Sequence, residues 1–339
     1  MLQKNKFSDK ELLYLLTCDD EKEIEDLHKK AREIAQEVYA NEVYIRGLIE
    51  ISNFCRQGCF YCGINRENTH VERFRLSKNE IINQAHLGYK LGFRTFVLQG
   101  GEDPKQDDDF FIEIIKTIKS FYPDTRITLS LGHRDHESYY KLKEAGADRY
   151  LLRHESANEE IFNKLHPKDQ SLDQRIEDLL YMKSLGYQIG TGFMVGAPFS
   201  SIESHIEDIK LIRKIRPQMI GIGPFISHKD TIFKDRENGT SDLTTRLISI
   251  LRIENPHALI PSTTALNTID ENGRIKGILS GANVIMPNLS PDFAKANYTL
   301  YDKKEALGLE SAFGLKKLDD LLKAYGYKIV IDKGDYKEE

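Results

Sequence analysis

Three cysteines close together carry the strongest chemical signal in this chain. Cys55, Cys59 and Cys62 form a CxxxCxxC motif. Thiolates are soft ligands that select zinc or iron–sulfur centres, and a structural zinc normally takes four protein ligands. Three thiolates suit a 4Fe-4S cluster that keeps one iron open for a further ligand. The alternative is a zinc ion completed by His70 or His86, although this cysteine spacing is uncommon for zinc.

The remaining cysteine, Cys18, stands alone in a charged N-terminal segment, and we interpret it as a free thiol without a role. Four cysteines in 339 residues, three of them within eight positions, are too few and too unevenly placed for a disulfide framework. The cysteine pattern therefore predicts one metal cluster.

Polar residues follow several β-rich runs of the sequence. The turn after the second run combines glycines with polar groups that would bring backbone carbonyls close to a ligand ammonium: Gln99, Gly100, Gly101 and Glu102. Arg153 and Glu155 share one face of a strand, and burying such a pair costs several kcal/mol unless a ligand compensates. Thr128 and Ser130 also share a face, where two hydroxyls can bind a carboxylate or a ribose.

Five further positions carry weaker signals. Thr263 and Thr264 belong to a run of hydroxyl residues that could bind an anion, although such runs are also common in plain turns. Arg175 near a helix start could clamp a carboxylate, and a surface arginine would look the same in sequence. Met194 and Ile226 suit the walls of an adenine pocket or, equally, the core.

Eight β-rich runs alternate with helix-like stretches along most of the chain. This alternation over about 245 residues favours a (β/α)8 barrel, an α/β fold, over an open sheet. The predicted strands are 43–52, 95–98, 126–131, 149–153, 188–195, 219–223, 258–261 and 284–286. The predicted helices between them are 78–91, 107–121, 136–145, 174–185, 202–215, 243–253 and 273–279. Active sites of such barrels lie at the carboxyl ends of the strands, where the polar residues are found.

The ends of the chain differ from the barrel. Two helices are expected within 9–40, and a helix at 315–325 precedes an apolar run at 328–331. We therefore predict three parts: an N-terminal helical segment (1–41), the barrel (42–290) and a C-terminal extension packed on the barrel (291–339). Three glycines are expected to end helices of the repeated unit: Gly92, Gly146 and Gly186.

The composition excludes several classes of protein. Hydrophobic residues make up 40% of the chain, which rules out a disordered protein. The net charge of −5 offers no basic field for nucleic acid or an anionic membrane, so we expect neither as a partner. No apolar run is long enough to span a bilayer and no signal peptide is evident, so we expect a cytoplasmic protein.

The cysteine motif resembles that of the radical S-adenosylmethionine (SAM) enzymes, in which an aromatic residue precedes the last cysteine, as Tyr61 does here. The resemblance implies an oxygen-sensitive enzyme whose open iron binds SAM. It implies that the reduced cluster cleaves SAM to methionine and a 5′-deoxyadenosyl radical, and that the glycine–glutamate turn contacts the SAM amino group. The residues that we assign to SAM binding on this basis are Tyr61, Gln99, Gly100, Gly101, Glu102, Ser130, Glu155, Arg175, Met194 and Ile226.

Longer strings narrow the resemblance. Five of them resemble the HydE family of FeFe-hydrogenase maturases: 97–104, 146–155, 221–226, 261–268 and 281–288. This implies a small substrate, a cysteine-bearing iron complex with carbonyl and cyanide ligands made by a partner maturase. It implies other hydrogenase maturases and a reducing electron donor as partners. It places Thr128, Arg153, Thr263 and Thr264 in the substrate cavity. It places Tyr298 and Tyr301 in a segment that closes the barrel bottom or the cavity.

Two other functions stay open on sequence alone. One is an amino-acid mutase similar to methylornithine synthase, which shares the general pattern. The other is a non-catalytic metal-binding scaffold, against which only the polar strand ends argue. Biotin synthase activity is excluded, because its second cluster needs cysteines that this chain lacks.

Overall fold

The computed structural model describes residues 2–302 and 312–338. The helices are α1 (Asp9–Thr17), α2 (Glu21–Tyr39), α3 (Lys78–Lys90), α4 (Asp108–Phe121), α5 (His136–Glu144), α6 (Glu159–Leu165), α7 (Leu172–Ser184), α8 (Ile202–Ile215), α9 (Ser241–Glu254), α10 (Thr264–Ile269), α11 (Gly273–Leu279), α12 (Asp292–Asn297) and α13 (Leu315–Lys323). The strands are β1 (Glu42–Ile45), β2 (Gly47–Ser52), β3 (Thr95–Gly100), β4 (Arg126–Ser130), β5 (Arg149–Leu151), β6 (Gln188–Thr191), β7 (Met194–Val195), β8 (Met219–Ile220), β9 (Gly223–Pro224), β10 (Val284–Ile285) and β11 (Lys328–Val330).

The strands form a closed parallel barrel. Six of them pair in the order β2-β3-β4-β5-β6-β8, and β1 pairs with β10. Isolated parallel bridges supply the remaining pairs: Met219 with Leu259, Pro261 with Val284, and Leu48 with Asn288. The ladder therefore continues from β8 through 258–261 and β10 back to the first strand. The predicted (β/α)8 architecture is confirmed.

The barrel strands are shorter and more divided than the sequence pattern predicted. The run 43–52 is split at Arg46, and the runs 188–195 and 219–223 each divide into two short strands. Gly192 and Gly221 explain these last divisions, because a Cβ on Gly192 would overlap the Gly221 carbonyl and the backbones cross too closely for a regular ladder. The run 258–261 forms only single bridges.

Helix ends follow the local chemistry of the sequence. Ser77 caps α3 in a capping box with Glu80, and the three glycines predicted to end helices all have positive φ: Gly92, Gly146 and Gly186. Both predicted N-terminal helices are present as α1 and α2. Three short helices of six or seven residues were not predicted: α6, α10 and α12.

The C-terminal extension contacts the amino ends of the barrel strands. Strand β11 pairs with β1. Asp335 forms ion pairs of 2.8 Å with Arg126, the first residue of β4, and with Arg149, the first residue of β5. Residues 303–311 and 339 of this predicted part lie outside the described residues. None of the helices in the described ranges has the length and apolar character that crossing a membrane requires.

Candidate active site

A cavity of about 370 Å³ lies inside the barrel. Its lining extends from Tyr61 and Cys62 at the cysteine loop to Arg46 and Met219 near the amino ends of the strands. Most of the predicted SAM and substrate residues line it: Tyr61, Gln99, Gly100, Thr128, Ser130, Arg153, Glu155, Arg175, Met194, Ile226, Thr263 and Thr264. The structure therefore brings residues from six strand ends, the cysteine loop and helix α7 to one place, while their individual roles stay predictions.

The three cysteines lie in the loop after β2, and amide groups point at two of their sulfurs. Cys55 Sγ accepts from the backbone N–H groups of Gln57 and Glu102, both at 3.4 Å. Cys59 Sγ accepts from Gln170 Nε2 at 3.1 Å. Burial raises the pKa of all three thiols, to about 11 for Cys59. Because the free thiols resist ionisation, a bound metal must hold them as thiolates.

The cysteine loop fits an iron–sulfur cluster better than a single zinc ion. Within 2–302 and 312–338, no three Cys, His, Asp or Glu side chains converge on one metal position. His70 is bonded to Asp230 and His86 to Tyr122, so neither histidine completes a zinc site. Three cysteine ligands suffice for a 4Fe-4S cluster that keeps one iron open, whereas a structural zinc would lack its fourth protein ligand.

Gly101 packs the glycine–glutamate turn under the cysteine loop. A Cβ on Gly101 would overlap the Phe54 carbonyl oxygen and come within 2.7 Å of Cys55 Cβ. Only glycine therefore allows this close approach.

Glu102 lies beside this turn but outside the lining of the cavity. Its carboxylate accepts from the His133 backbone N–H at 2.8 Å and from Gln57 Nε2 at 2.7 Å. The part of the turn that lines the cavity is Gln99 and Gly100. Glu102 thus stabilises the turn from outside the cavity. Contact between its carboxylate and SAM stays a prediction.

Arg175 is anchored at the cysteine end of the cavity by two hydrogen bonds. Its Nη1 donates to the Arg153 carbonyl at 2.8 Å, and its Nη2 donates to Gln170 Oε1 at 2.6 Å. Because Gln170 also donates to Cys59, one chain of hydrogen bonds links the cysteine loop to the strand end that carries Arg153. Sequence analysis missed Gln170, which lies between α6 and α7 and belongs to no motif.

Tyr61 is held by His166, a second residue that sequence analysis missed. The Tyr61 hydroxyl lies 3.3 Å from His166 Nε2, and the Phe162 carbonyl lies 2.9 Å from Nδ1. Burial lowers the pKa of His166 to about 3, and the nearby charge of Arg175 adds to this effect. The imidazole is therefore neutral, and it donates to Phe162 while accepting from Tyr61.

Several polar atoms in the middle of the cavity form no hydrogen bond within the described part of the chain. Arg153 Nη2 forms an ion pair with Glu155 Oε2 at 3.0 Å, although neither atom forms a hydrogen bond with the described residues. Thr128 Oγ1 on β4 is buried and also unbonded within that part of the chain. Glu155 has a φ of 66°, which is uncommon for a residue with a side chain. Unpaired buried groups and local strain are both typical of ligand sites.

The hydroxyl run after 261 begins helix α10. Thr263 Oγ1 caps this helix by accepting from the Leu266 N–H at 3.4 Å. Ser262 Oγ donates to the Arg274 carbonyl at 2.9 Å, so it serves the fold. Of the three hydroxyl residues, only Thr263 and Thr264 line the cavity.

A buried carboxylate supports the strained backbone at Glu155. Asp208 lies 3.2 Å from His154 Nε2 and 3.1 Å from His205 Nδ1, and His154 Nδ1 lies 3.0 Å from Thr191 Oγ1. Burial alone would raise the pKa of Asp208, but the hydrogen bonds from both histidines outweigh it and lower the pKa. This network was not predicted, because its members come from three separate segments.

Tyr298 and Tyr301 close the cysteine end of the cavity. Both line it, and the Tyr298 hydroxyl accepts from Gln99 Nε2 at 3.4 Å. The Gly63 N–H, directly after the cysteine motif, donates to the Leu300 carbonyl at 2.9 Å. Of the two placements that the sequence left open, the structure gives the cavity and not the barrel bottom.

A closed parallel barrel with a three-cysteine loop after its first strand defines a radical SAM enzyme, and residues 49–212 match the model of the Radical SAM superfamily. Within that class the chain belongs to the HydE family. It is 42% identical over 303 residues to the FeFe hydrogenase maturase subunit HydE of Thermotoga maritima, which covers 89% of this chain and 86% of that protein.

Two further comparisons give lower identity. The 3-methylornithine synthase of Methanosarcina acetivorans is 29% identical over 298 residues, covering 87% of this chain and 83% of that protein. The crystal structure of methylornithine synthase (PylB) superposes with a TM-score of 0.84 at 26% identity, covering 97% of this chain and 96% of the other. As a radical SAM enzyme, this chain uses a 4Fe-4S cluster and SAM.

Proposed function

We propose that this enzyme acts in the assembly of the H-cluster of FeFe hydrogenase. Its substrate is a small cysteine-bearing iron complex with carbonyl and cyanide ligands, supplied by another hydrogenase maturase. A reducing electron donor is a further partner. The identity of 42% to a hydrogenase maturase, against 29% to a methylornithine synthase, supports this choice.

The cluster is assigned to Cys55, Cys59 and Cys62. When bound and reduced, it supplies the electron that cleaves SAM to methionine and a 5′-deoxyadenosyl radical. The protein contributes binding, orientation and exclusion of water. We assign SAM to the cysteine end of the cavity, where polar residues and an apolar wall meet: Tyr61, Gln99, Gly100, Ser130, Glu155, Arg175, Met194 and Ile226.

The substrate is assigned to the middle of the cavity. The observation that carries this assignment is the set of buried donors on Arg153 and Thr128 that form no hydrogen bond with the described residues. A substrate carboxylate would satisfy the planar guanidinium with two parallel hydrogen bonds, and Thr263 and Thr264 lie in the same wall. Held there, the substrate keeps a fixed distance from SAM, which a short-lived radical requires.

Arg153→Ala tests this assignment. The variant is expected to keep the cluster spectrum and SAM affinity of the wild type, yet to lose hydrogenase maturation in an assay with the other purified maturases. The Thr263→Val/Thr264→Val double variant should behave in the same way. Arg94→Ala is a matched control, because Arg94 pairs with Asp124 outside the cavity and should leave maturation intact.

Three outcomes would contradict the proposal. Full maturation by Arg153→Ala would place the substrate elsewhere. Formation of 3-methylornithine by a wild-type protein that does not support maturation would establish the mutase. Binding of iron without any cleavage of SAM would establish a non-catalytic scaffold.

A further inference from the structure

We propose that Gln170 raises the reduction potential of the iron–sulfur cluster by donating a hydrogen bond to Cys59. Gln170 Nε2 lies 3.1 Å from Cys59 Sγ, and the two residues are 111 positions apart in sequence. Gln170 is a positioning residue and not a catalytic one, because it acts on the cluster through the sulfur of Cys59. This role rests on the proposed assignment of the cluster to the three cysteines.

Arg175 fixes which end of the Gln170 amide faces the sulfur. A guanidinium carries donors and no acceptor, so the atom that Arg175 Nη2 meets at 2.6 Å is the amide oxygen. The NH2 group therefore points the other way, toward Cys59. Arg175 is itself held, since its Nη1 donates to the Arg153 carbonyl at 2.8 Å. The donor to Cys59 is thus oriented by the protein.

The segment that carries Gln170 is fixed against the cysteine loop at further points. The Phe60 N–H donates to the Leu165 carbonyl at 3.0 Å, and the Tyr61 hydroxyl lies 3.3 Å from His166 Nε2. These contacts hold the connection between α6 and α7 beside the cysteines. The amide of Gln170 is therefore preorganised, so it need not move when the cluster changes its oxidation state.

The hydrogen bond from Gln170 favours the reduced cluster over the oxidised one. Reduction adds one electron, and part of the added negative charge falls on the cysteine sulfurs, where an N–H donor stabilises it. Hydrogen bonds to the sulfurs are among the factors that set the potential of an iron–sulfur cluster. Loss of this bond should therefore make the cluster harder to reduce. Because cleavage of SAM needs the reduced cluster, the bond assists the step that starts the reaction.

The midpoint potential of the cluster tests this role of Gln170. Each holoenzyme is titrated anaerobically without SAM, and electron paramagnetic resonance follows the reduced cluster. Gln170→Leu removes the donor and should lower the ratio of reduced to oxidised cluster at a fixed potential by about 10-fold, which is about 59 mV for one electron. Gln174→Leu is the matched control and should keep the wild-type potential, because Gln174 donates to Asp178 at 3.1 Å and not to a sulfur.

Gln170→Glu separates the hydrogen bond from the shape of the side chain. The carboxylate can still accept from Arg175, but it cannot donate to Cys59 and it adds negative charge, so the potential should fall at least as far as in Gln170→Leu.

Four outcomes would refute this role of Gln170. The first is a potential at or above the wild-type value in either Gln170 variant that keeps its cluster, which would leave the proposed function intact. The second is an equal fall of the potential in Gln174→Leu. Loss of the cluster in both Gln170 variants would show that Gln170 only supports the fold of the loop. A wild-type protein that binds no 4Fe-4S cluster would overturn the proposed function as well.

Discussion

At the cysteine end of the cavity, two polar side chains are bonded to the protein itself, whereas in the barrel interior several polar side chains keep atoms without a hydrogen bond. Gln170 and Arg175 each have well-aligned partners. Thr128, Arg153 and Arg46 lie deeper and keep buried atoms that no described residue satisfies.

This difference separates two tasks of one cavity. The cysteine end must hold a cluster and SAM in one fixed arrangement, so its side chains are locked by neighbours before any ligand arrives. Polar atoms of the interior must stay available for hydrogen bonds to a ligand. The fold tolerates the cost in stability of leaving them without such bonds. Stability and function should therefore respond in opposite ways to mutations at the two ends.

The largest effect is expected from crowding the turn under the cysteines. Gly101→Ala forces a methyl group into the Phe54 carbonyl, so the loop must move and most of the iron should be lost. Gly58→Ala is the matched control within the same loop, because its methyl group meets only the Arg66 side chain, at 3.5 Å. The iron content of both variants is measured by iron analysis and by the visible spectrum of anaerobically purified protein. Equal iron content in both variants would show that the glycine–glutamate turn does not fix the position of the cysteine loop.

A medium effect is expected from the dependence of stability on pH. Two histidines contribute to it with pKa values shifted in opposite directions. The folded pKa of His166 is lowered to about 3, so wild-type stability is lost as pH falls below the unfolded value of about 6.5. His166→Gln should therefore gain about 2 kcal/mol relative to wild type between pH 7 and pH 5.

His133 supplies the matching control. A hydrogen bond to Asp178 raises its pKa, so its contribution is fully present below the unfolded pKa and is lost as pH rises through the folded one. His133→Gln should then lose stability relative to wild type on the same acid shift. Anaerobic thermal unfolding at both pH values measures both variants, and shifts of the same sign would contradict the assignment.

The barrel and the cysteine loop could be predicted because their signals are local. The hydrophobic periods of strands and helices repeat along the chain, and the three cysteines lie within eight consecutive positions. The glycine turn and the alternation of Arg153 with Glu155 could also be found in this way.

The supporting contacts could not be predicted, since they join distant segments. Gln170 meets Cys59 across 111 residues, and Arg46 meets Met219 across 173. Nothing near Arg46 in sequence shows that its side chain enters the cavity. The split of the first strand was hidden for the same reason, because β1 and β2 form one uninterrupted β-rich run.

The smallest expected effect is that of removing one buried hydroxyl group. It gives the most direct test of the contrast between the cysteine end of the cavity and the barrel interior. Thr128 and Thr191 are both buried strand threonines, 2% and 0% exposed. Thr191 Oγ1 lies 3.0 Å from His154 Nδ1, whereas Thr128 Oγ1 is unbonded in the described structure. Valine has nearly the same shape, so each substitution removes a hydroxyl and little else.

Thr191→Val should lower the free energy of unfolding by about 1–2 kcal/mol, since it leaves a buried histidine atom unpaired. Thr128→Val should leave that free energy unchanged or raise it by up to about 1 kcal/mol, because a desolvated hydroxyl disappears. The same variant should reduce hydrogenase maturation while SAM affinity stays at the wild-type level. If Thr128→Val is destabilised as much as Thr191→Val, the hydroxyl already has a partner in the resting enzyme and the interior is not held open for substrate.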